Sequence, residues 1–336
     1  MEKIIYGIDI GGTTVKIGTF SSTGKMLGKT EIPTDLSGGG KHILPDIADW
    51  IKEDRTKRSL STKDIAGAGI GVPGPVLRHR VVNRCVNLGW GVTDVAADFR
   101  ERTGIGHVPV LNDANAAALG EFRALTRAYD PGSTGTEDTA SGAPAPRSMA
   151  LITIGTGIGC GIIQDGRILP GAFGAAGEIG HMRMAAGGRT GPGNKAADHF
   201  ELEKLAAAGG ITRRMAALAK SGRYPATFDT TKPFTPKDVA EAAAAGDCCA
   251  VKTLEETGTI LGIALSYVAC VTDPGLFVIG GGISRAGSIL LEPIKKSFAR
   301  HCFHASSDTS FRLAKLGNDA GIRGAAEAVL RSSAPG

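Results

Sequence analysis

The chain has 336 residues, enough for about two domains of ~150 residues each and for a large core without disulfide or metal staples. Hydrophobic residues make up 42% and charged residues 21%, and the net charge is +5 with the basic residues scattered, so nothing marks a nucleic-acid binder: there is no zinc-finger spacing, basic zipper or aromatic-rich RNA-binding signature. Glycine is the outlier, 49 residues or about twice the average usage of ~7%, yet without the strict G-X-Y period of collagen.

Taken in chain order, Ile4–Ile10 reads as a strand, Gly11–Thr14 (GGTT) as a turn and 15–20 as a second strand, so the chain opens with a hairpin. Residues 42–52 carry apolar positions at helical spacing. Ile65–Val72 reads as a strand that ends at Pro73-Gly74-Pro75. A helix is expected over 92–102 and a short strand over 108–111. Asn112 and Asp113 then stand where a helix N-cap belongs, before a helix over 114–125. Residues 129–147 are rich in Pro, Gly, Ser, Thr and Ala and read as an exposed, mobile loop. Met149–Ile154 and 159–164 read as strands flanking a glycine turn, and 173–194 as irregular. Helices are expected over 200–220, 235–245, 250–271, 288–301 and 321–331, with a buried strand at 276–279. Alternating strands and helices indicate an α/β chain. The glycine hairpins at 9–18 and 151–163 point to two related halves. No run of 18 apolar residues predicts a membrane span, and MEKIIYGIDI lacks a signal-peptide core. The six cysteines include no CxxC pair, a usage that suits reduced thiols in a cytoplasm.

Five short runs carry chemistry. In Asp9-Ile-Gly11-Gly12-Thr13-Thr14, a glycine pair between strands lets backbone N–H groups approach an anion. The threonine hydroxyls add donors, and Asp9 is placed to hold Mg²⁺ through water. The same run also reads as a plain tight hairpin. Gly155-Thr156-Gly157-Ile-Gly159-Cys160-Gly161 repeats the arrangement; it is neither a Rossmann fingerprint nor a P-loop, and reads equally as a glycine-rich hairpin. Gly280-Gly281-Gly282 ends a strand with a flat surface that suits adenine or its ribose, or a simple strand–helix turn. In Leu111-Asn112-Asp113-Ala-Asn115, a carboxylate at a strand end is placed as a general base, while Asn and Asp are also preferred N-caps. Glu178-Ile-Gly-His181 offers an acceptor and a histidine to sugar hydroxyls, or is a surface turn.

Together these runs resemble the ROK family of sugar kinases, and within it the bacterial glucokinases. The resemblance extends from Asp9 to the Leu316–Gly321 segment. DIGGTT, GVPGPV (71–76), NLGW (87–90), LNDANAAALGE (111–121), GTGIGCG, GEIGH (177–181) and DPGLFVIGGGIS (273–284) occur in the family's order. The resemblance implies an α/β, actin-like ATPase (ribonuclease H-like) fold of two lobes with a cleft. The small lobe would comprise 1–112 with 313–336, and the large lobe 113–312. It implies ATP-dependent phosphorylation of a hexose, glucose at its 6-hydroxyl first, with Asp113 as base. Gly74, Asn112, Glu178, His181 and Glu203 would hold the sugar, with Glu201 competing for the place of Glu203. Gly11–Thr14, Gly155, Thr156, Gly157, Gly159, Gly281 and Gly282 would hold ATP, with Mg²⁺ at Asp9. One departure stands out: the family's zinc-binding cysteines are absent from 190–197, so no zinc site is expected. N-acetylmannosamine, mannose or fructose as acceptor, polyphosphate as donor, and a non-catalytic sugar-binding regulator remain alternatives. A homodimer or homotetramer without nucleic-acid or membrane partners is expected.

Overall fold

The computed structural model describes residues 2–127, 146–185 and 199–332. The expected loop at 129–147 and the cysteine-free segment 190–197 fall almost wholly outside these residues. The chain divides into two compact units. The first comprises Met1–Ala145, Gly161–Ala176 and Asn318–Gly336; the second comprises Pro146–Cys160 and Gly177–Gly317. This division differs from a boundary after residue 112. It keeps the helix Asp113–Arg127 with the first unit, because that helix packs on the C-terminal helix Ala320–Ser332. A β-carbon on Gly324 would stand 1.6 Å from the Ala116 carbonyl oxygen, so the two helices touch backbone to backbone.

In the first unit the strand Ile4–Ile10 sits at the centre of a five-stranded sheet. Thr14–Ser21 pairs with it antiparallel and Ile65–Val72 pairs with it parallel; Met26–Pro33 and Val110–Asn112 lie at the two edges. The period of two in IIYGIDI explains both of its faces. Ile4, Tyr6, Ile8 and Ile10 point into the larger core, together with Ile43, Ile47 and Ile51 of the helix Ile43–Lys57. Burial of each such side chain contributes roughly 1.5–3 kcal/mol. Ile5, Gly7 and Asp9 lie under the C-terminal helix. Ile5 clusters with Ile322, Ala326 and Val329, and a β-carbon on Gly7 would stand 2.0 Å from the Ile322 carbonyl oxygen. Tyr6 satisfies its phenol inside the core by donating to Asp54, which also accepts from Arg58.

The second five-stranded sheet runs from the strand Arg167–Ile168 through Ile158–Gln164, Met149–Ile154 and Leu276–Gly280 to Ser310–Leu313. Its order repeats that of the first sheet. In each, the central strand comes first in the chain, the next two lie on one side of it, and two later, parallel strands lie on the other. The two expected glycine hairpins occupy equivalent places in the two sheets. In the second unit Phe277, Phe298 and Phe311 pack with ring centroids 5.1–5.6 Å apart. The helix Cys248–Thr272 is long and apolar enough to cross a membrane by composition. It packs instead as a core helix: β-carbons on Gly258 and Gly262 would press on the helix Ser288–His301, and Ser297 donates to the Thr259 carbonyl.

Three expectations need correction. The helix placed at 92–102 begins only at Val95. Trp90–Asp94 is a strand, and Asp94 caps the helix by accepting from the Ala97 N–H at 3.0 Å. The helix placed at 200–220 is three elements: the strand His199–Glu201, the helix Leu202–Ala206 and the helix Ala208–Ser221, separated by extended backbone at Ala207. The strands Met26–Pro33, Val81–Cys85 and Ser310–Leu313 were not anticipated. Short or half-exposed runs of this kind leave a weak periodic signal.

Candidate active site

In the first unit, three adjacent parallel strands end at one edge, and their register aligns the candidate residues. Asp9 pairs with Gly71, and Gly71 pairs with Leu111. The carboxyl ends of parallel strands are where open α/β sheets bind ligands. Gly11 closes the hairpin turn by donating to the Thr14 carbonyl at 3.0 Å. Thr34, which the sequence reading missed, braces the loop: its N–H donates to the Thr13 carbonyl and its hydroxyl to the Gly11 carbonyl at 2.8 Å. Gly12 and Thr13 are exposed, and a β-carbon on Gly12 would meet open space.

Asp9 is largely desolvated beside Gly321, where a β-carbon would stand 2.5 Å from its Oδ2. Burial raises its pKa above the usual carboxylate range, and Lys16 opposes that shift. Among the described residues, no side chain hydrogen-bonds to this carboxylate. A lone, poorly solvated carboxylate beside an exposed turn of backbone amides fits a hydrated Mg²⁺, which needs few protein ligands. Among the described residues no three His, Cys, Asp or Glu groups form a metal cluster.

At the next strand end, Asn112 is the helix cap. Its Oδ1 accepts from the Asn115 N–H at 3.1 Å, and its Nδ2 donates to the Gly74 carbonyl at 3.2 Å. Gly74 adopts a φ of 125°, a region that disfavours side chains. With the cap assigned to Asn112, Asp113 opens the helix Asp113–Arg127 with its carboxylate accepting the Ala114 N–H at 2.8 Å. A helix N-terminus favours negative charge, so the position suits an ionised base. Burial pushes the nearby Cys85 thiol up, and the charge of Asp113 adds to that shift.

In the second unit, Gly155 donates to the Gly157 carbonyl at 2.9 Å, and Thr153 to the Gly159 carbonyl at 3.4 Å. Gly155 and Thr156 are exposed. Gly281 takes a φ of 86°, and a β-carbon there would stand 2.1 Å from the Ile154 carbonyl oxygen. The strand-end glycines therefore abut the glycine hairpin. A cavity of about 200 Å³ opens beside them, with Ile154, Ile211, Pro236 and Ile283 as apolar walls and Gly155 and Gly282 at its edge. The wall at Pro236 is held by a capping box between Thr235 and Asp238. The T-x-x-D spacing carried that signal in the sequence.

The segment 177–181 lies directly on the strand Ile158–Gln164: β-carbons on Gly177 and Gly180 would press on the carbonyls of Cys160 and Ile158. Glu178 and His181 are exposed at its surface. The choice between Glu201 and Glu203 changes form, because Glu201 ends a strand and only Glu203 is helical. Glu203 Oε2 lies 2.9 Å from a β-carbon built on Gly157 and 3.6 Å from one on Gly180. Glu201 instead meets His181, Oε1 to Nδ1 at 3.6 Å. Arg214 anchors the short helix of Glu203 by donating to the Leu205 carbonyl at 3.1 Å and to Thr257 at 3.0 Å.

The ROK family model matches residues 5–130 and 132–332. A glucokinase of Halalkalibacterium halodurans is 36% identical over 330 residues, which cover 96% of this chain and 94% of that protein. The structure of a ROK family glucokinase from Streptomyces griseus, in complex with glucose and AMPPNP, covers 98% of this chain and 99% of its own at 28% identity, with a TM-score of 0.69. A ROK hexokinase from Thermus thermophilus matches 97% of each chain at 28% identity and a TM-score of 0.68. Such neighbours carry the actin-like ATPase fold. With the duplicated sheets, the two glycine hairpins and matches along nearly its whole length, this chain belongs to the ROK family.

Proposed function

We propose that this protein is an ATP-dependent glucokinase that phosphorylates the 6-hydroxyl of glucose with Asp113 as general base. The observation that carries the reading is the division of labour at 112–113. Asn112 caps the helix and grips Gly74, and the Asp113 carboxylate opens the same helix beside it, accepting the Ala114 N–H, at the end of the strand Val110–Asn112. Glucokinase relatives and a glucokinase structure holding glucose and AMPPNP support the choice of sugar and donor.

Phosphoryl transfer demands positioning and charge stabilisation more than covalent chemistry. Asp113 accepts the hydroxyl proton as the oxygen attacks. Asn112, Glu178, His181 and Glu203 orient the other hydroxyls, and Glu201 holds the His181 ring. The glycine turns at Gly11–Thr14 and 155–159 hold the phosphate oxygens, with donors among the backbone N–H groups that the hairpin hydrogen bonds of Gly11 and Gly155 leave unused. The apolar slot beside Gly281 and Gly282 takes the adenine. Mg²⁺ near Asp9, when bound, neutralises charge on the phosphates. The protein is expected to assemble as a homodimer or homotetramer, which light scattering checks.

The test is a coupled assay with ATP and glucose on the wild type and on Asp113→Asn. Loss of a general base lowers turnover by about 10²–10⁴-fold. An Asp113→Asn enzyme with near-wild-type turnover removes Asp113 from this role. The same assay run with N-acetylmannosamine, mannose, fructose and polyphosphate fixes acceptor and donor. A wild type that binds glucose without phosphorylating it would be a sugar-binding regulator instead.

A further inference from the structure

A cavity among the described residues of the first unit has no part in the chemistry above. It measures about 750 Å³ and is ringed by Arg100, Arg167, Arg331, His79 and His107. Among the described residues no acidic side chain lines it. Its remaining wall is apolar and includes Val108, Leu111, Leu119 and Ile168.

The charges on this ring are poorly compensated. Arg331 is partly neutralised by Glu327, 3.2 Å away, and its guanidinium lies 5.8 Å over the Phe122 ring. Arg100 and Arg167 have no such partner: neither forms an ion pair with any described residue. Asp94, a carboxylate within electrostatic reach of Arg100, is already bound to Arg80 and to the Ala97 N–H. Guanidinium groups gathered around a cavity without an ion-pair partner among the described residues call for an anion that arrives from outside. Burial holds the His107 pKa below the usual value, and Arg100 adds to the shift.

We propose that this cavity is a binding site for a small organic phosphate. Guanidinium forks match phosphate oxygens two at a time, and three of them with two imidazoles exceed what a single carboxylate would require. The apolar wall calls for a carbon skeleton on the anion, which inorganic phosphate lacks. The volume lies within the range of small-molecule sites. Leu111 belongs to the strand that leads into Asp113 and Leu119 to the helix that Asp113 opens, so an occupant would sit against the supports of that residue.

The test is calorimetric titration of phenyl phosphate, with phenol and inorganic phosphate as partial probes, at low salt. Glucose and AMPPNP are kept present so that phosphate-binding loops elsewhere are filled. Phenyl phosphate is expected to bind more tightly than either partial probe. Arg100→Gln with Arg167→Gln is expected to weaken it at least about tenfold, the loss of charged hydrogen bonds. Arg167 is exposed, so Arg167→Gln alone serves as a second variant that retains the fold, with a smaller loss. Absence of phenyl phosphate binding, or equal binding by the wild type and both variants, overturns the proposal. Because binding is read directly, the result does not depend on the catalytic reading.

Discussion

The carboxylate of Glu203 rests against the backbone of Gly157, so that a β-carbon on Gly157 would stand 2.9 Å from its Oε2. A candidate sugar ligand and a candidate phosphate loop thus share a boundary that only a glycine leaves open. Gly157→Ala would displace a flexible side-chain tip rather than backbone. The fold should tolerate it within about 1 kcal/mol, while the Michaelis constant for the sugar rises with little change in melting temperature. Glu203→Gln should raise the same constant. Kinetics that leave both constants unchanged would free Glu203 from the site.

Gly281 and Gly282 separate structural need from ligand contact. Gly281→Ala faces both a positive φ and the Ile154 carbonyl, and should destabilise by about 2 kcal/mol or more in denaturant melts. Gly282 has neither obstacle, and its β-carbon would meet open space. Gly282→Val should melt like the wild type and raise the Michaelis constant for ATP alone.

Asp9 predicts opposite effects on stability and activity. Burial raises its folded pKa above the unfolded value. Its contribution to stability is therefore present at low pH and lost as pH rises through the folded value. At pH 8 the ionised carboxyl costs stability, so Asp9→Asn should melt higher there, by the equivalent of roughly 1 kcal/mol, and the gain should vanish near pH 4. Kinase activity should fall in the same variant. Paired melts between pH 4 and 8 check the sign; a variant that melts lower at pH 8 reverses it.

Asn112→Ala removes an N-cap and the tie to Gly74. A loss of about 1 kcal/mol is expected from the cap alone. The activity loss should exceed what the melting shift explains, because Asp113 would lose its neighbour's grip.

The cysteines should divide cleanly under alkylation. Burial pushes the Cys160 thiol up to about 12, with Glu178 adding to the shift, and Cys85 and Cys249 are also buried and raised. Cys248 and Cys270 are exposed. Iodoacetamide at pH 8 should label the exposed pair and leave Cys160 unmodified by peptide mass analysis.

Legibility in the sequence followed the strength of local signals. IIYGIDI and MALITI were readable as strands because both are densely apolar, and the glycine hairpins because turn chemistry is local. The order of seven motifs made the family visible. Asn112 against Asp113 was not decided by sequence, since both are good caps, and only the hydrogen bonds separate them. Thr34 and Arg214 act on residues 23 and 43 positions away, Gly11 and Thr257 respectively, and such pairings have no sequence period. Glu201 was placed on a helix because the extended residue at Ala207 and the short strand before Leu202 leave no propensity mark.

The contact of Asp9 with Gly321 also bears on how the protein is made. The central strand of the first sheet is translated ahead of the second unit, but its outer face is closed by Gly321, Ile322, Ala326 and Val329. All of the second unit is translated between them. At about 5–20 residues per second, the nascent first unit waits many seconds with Ile5 and Phe20 uncovered. The second unit has its strands and helices available earlier and can fold first. The glycine hairpin that follows Asp9 is thus among the last parts of the chain to reach its native packing, and a stalled or truncated product should expose that apolar face to chaperones.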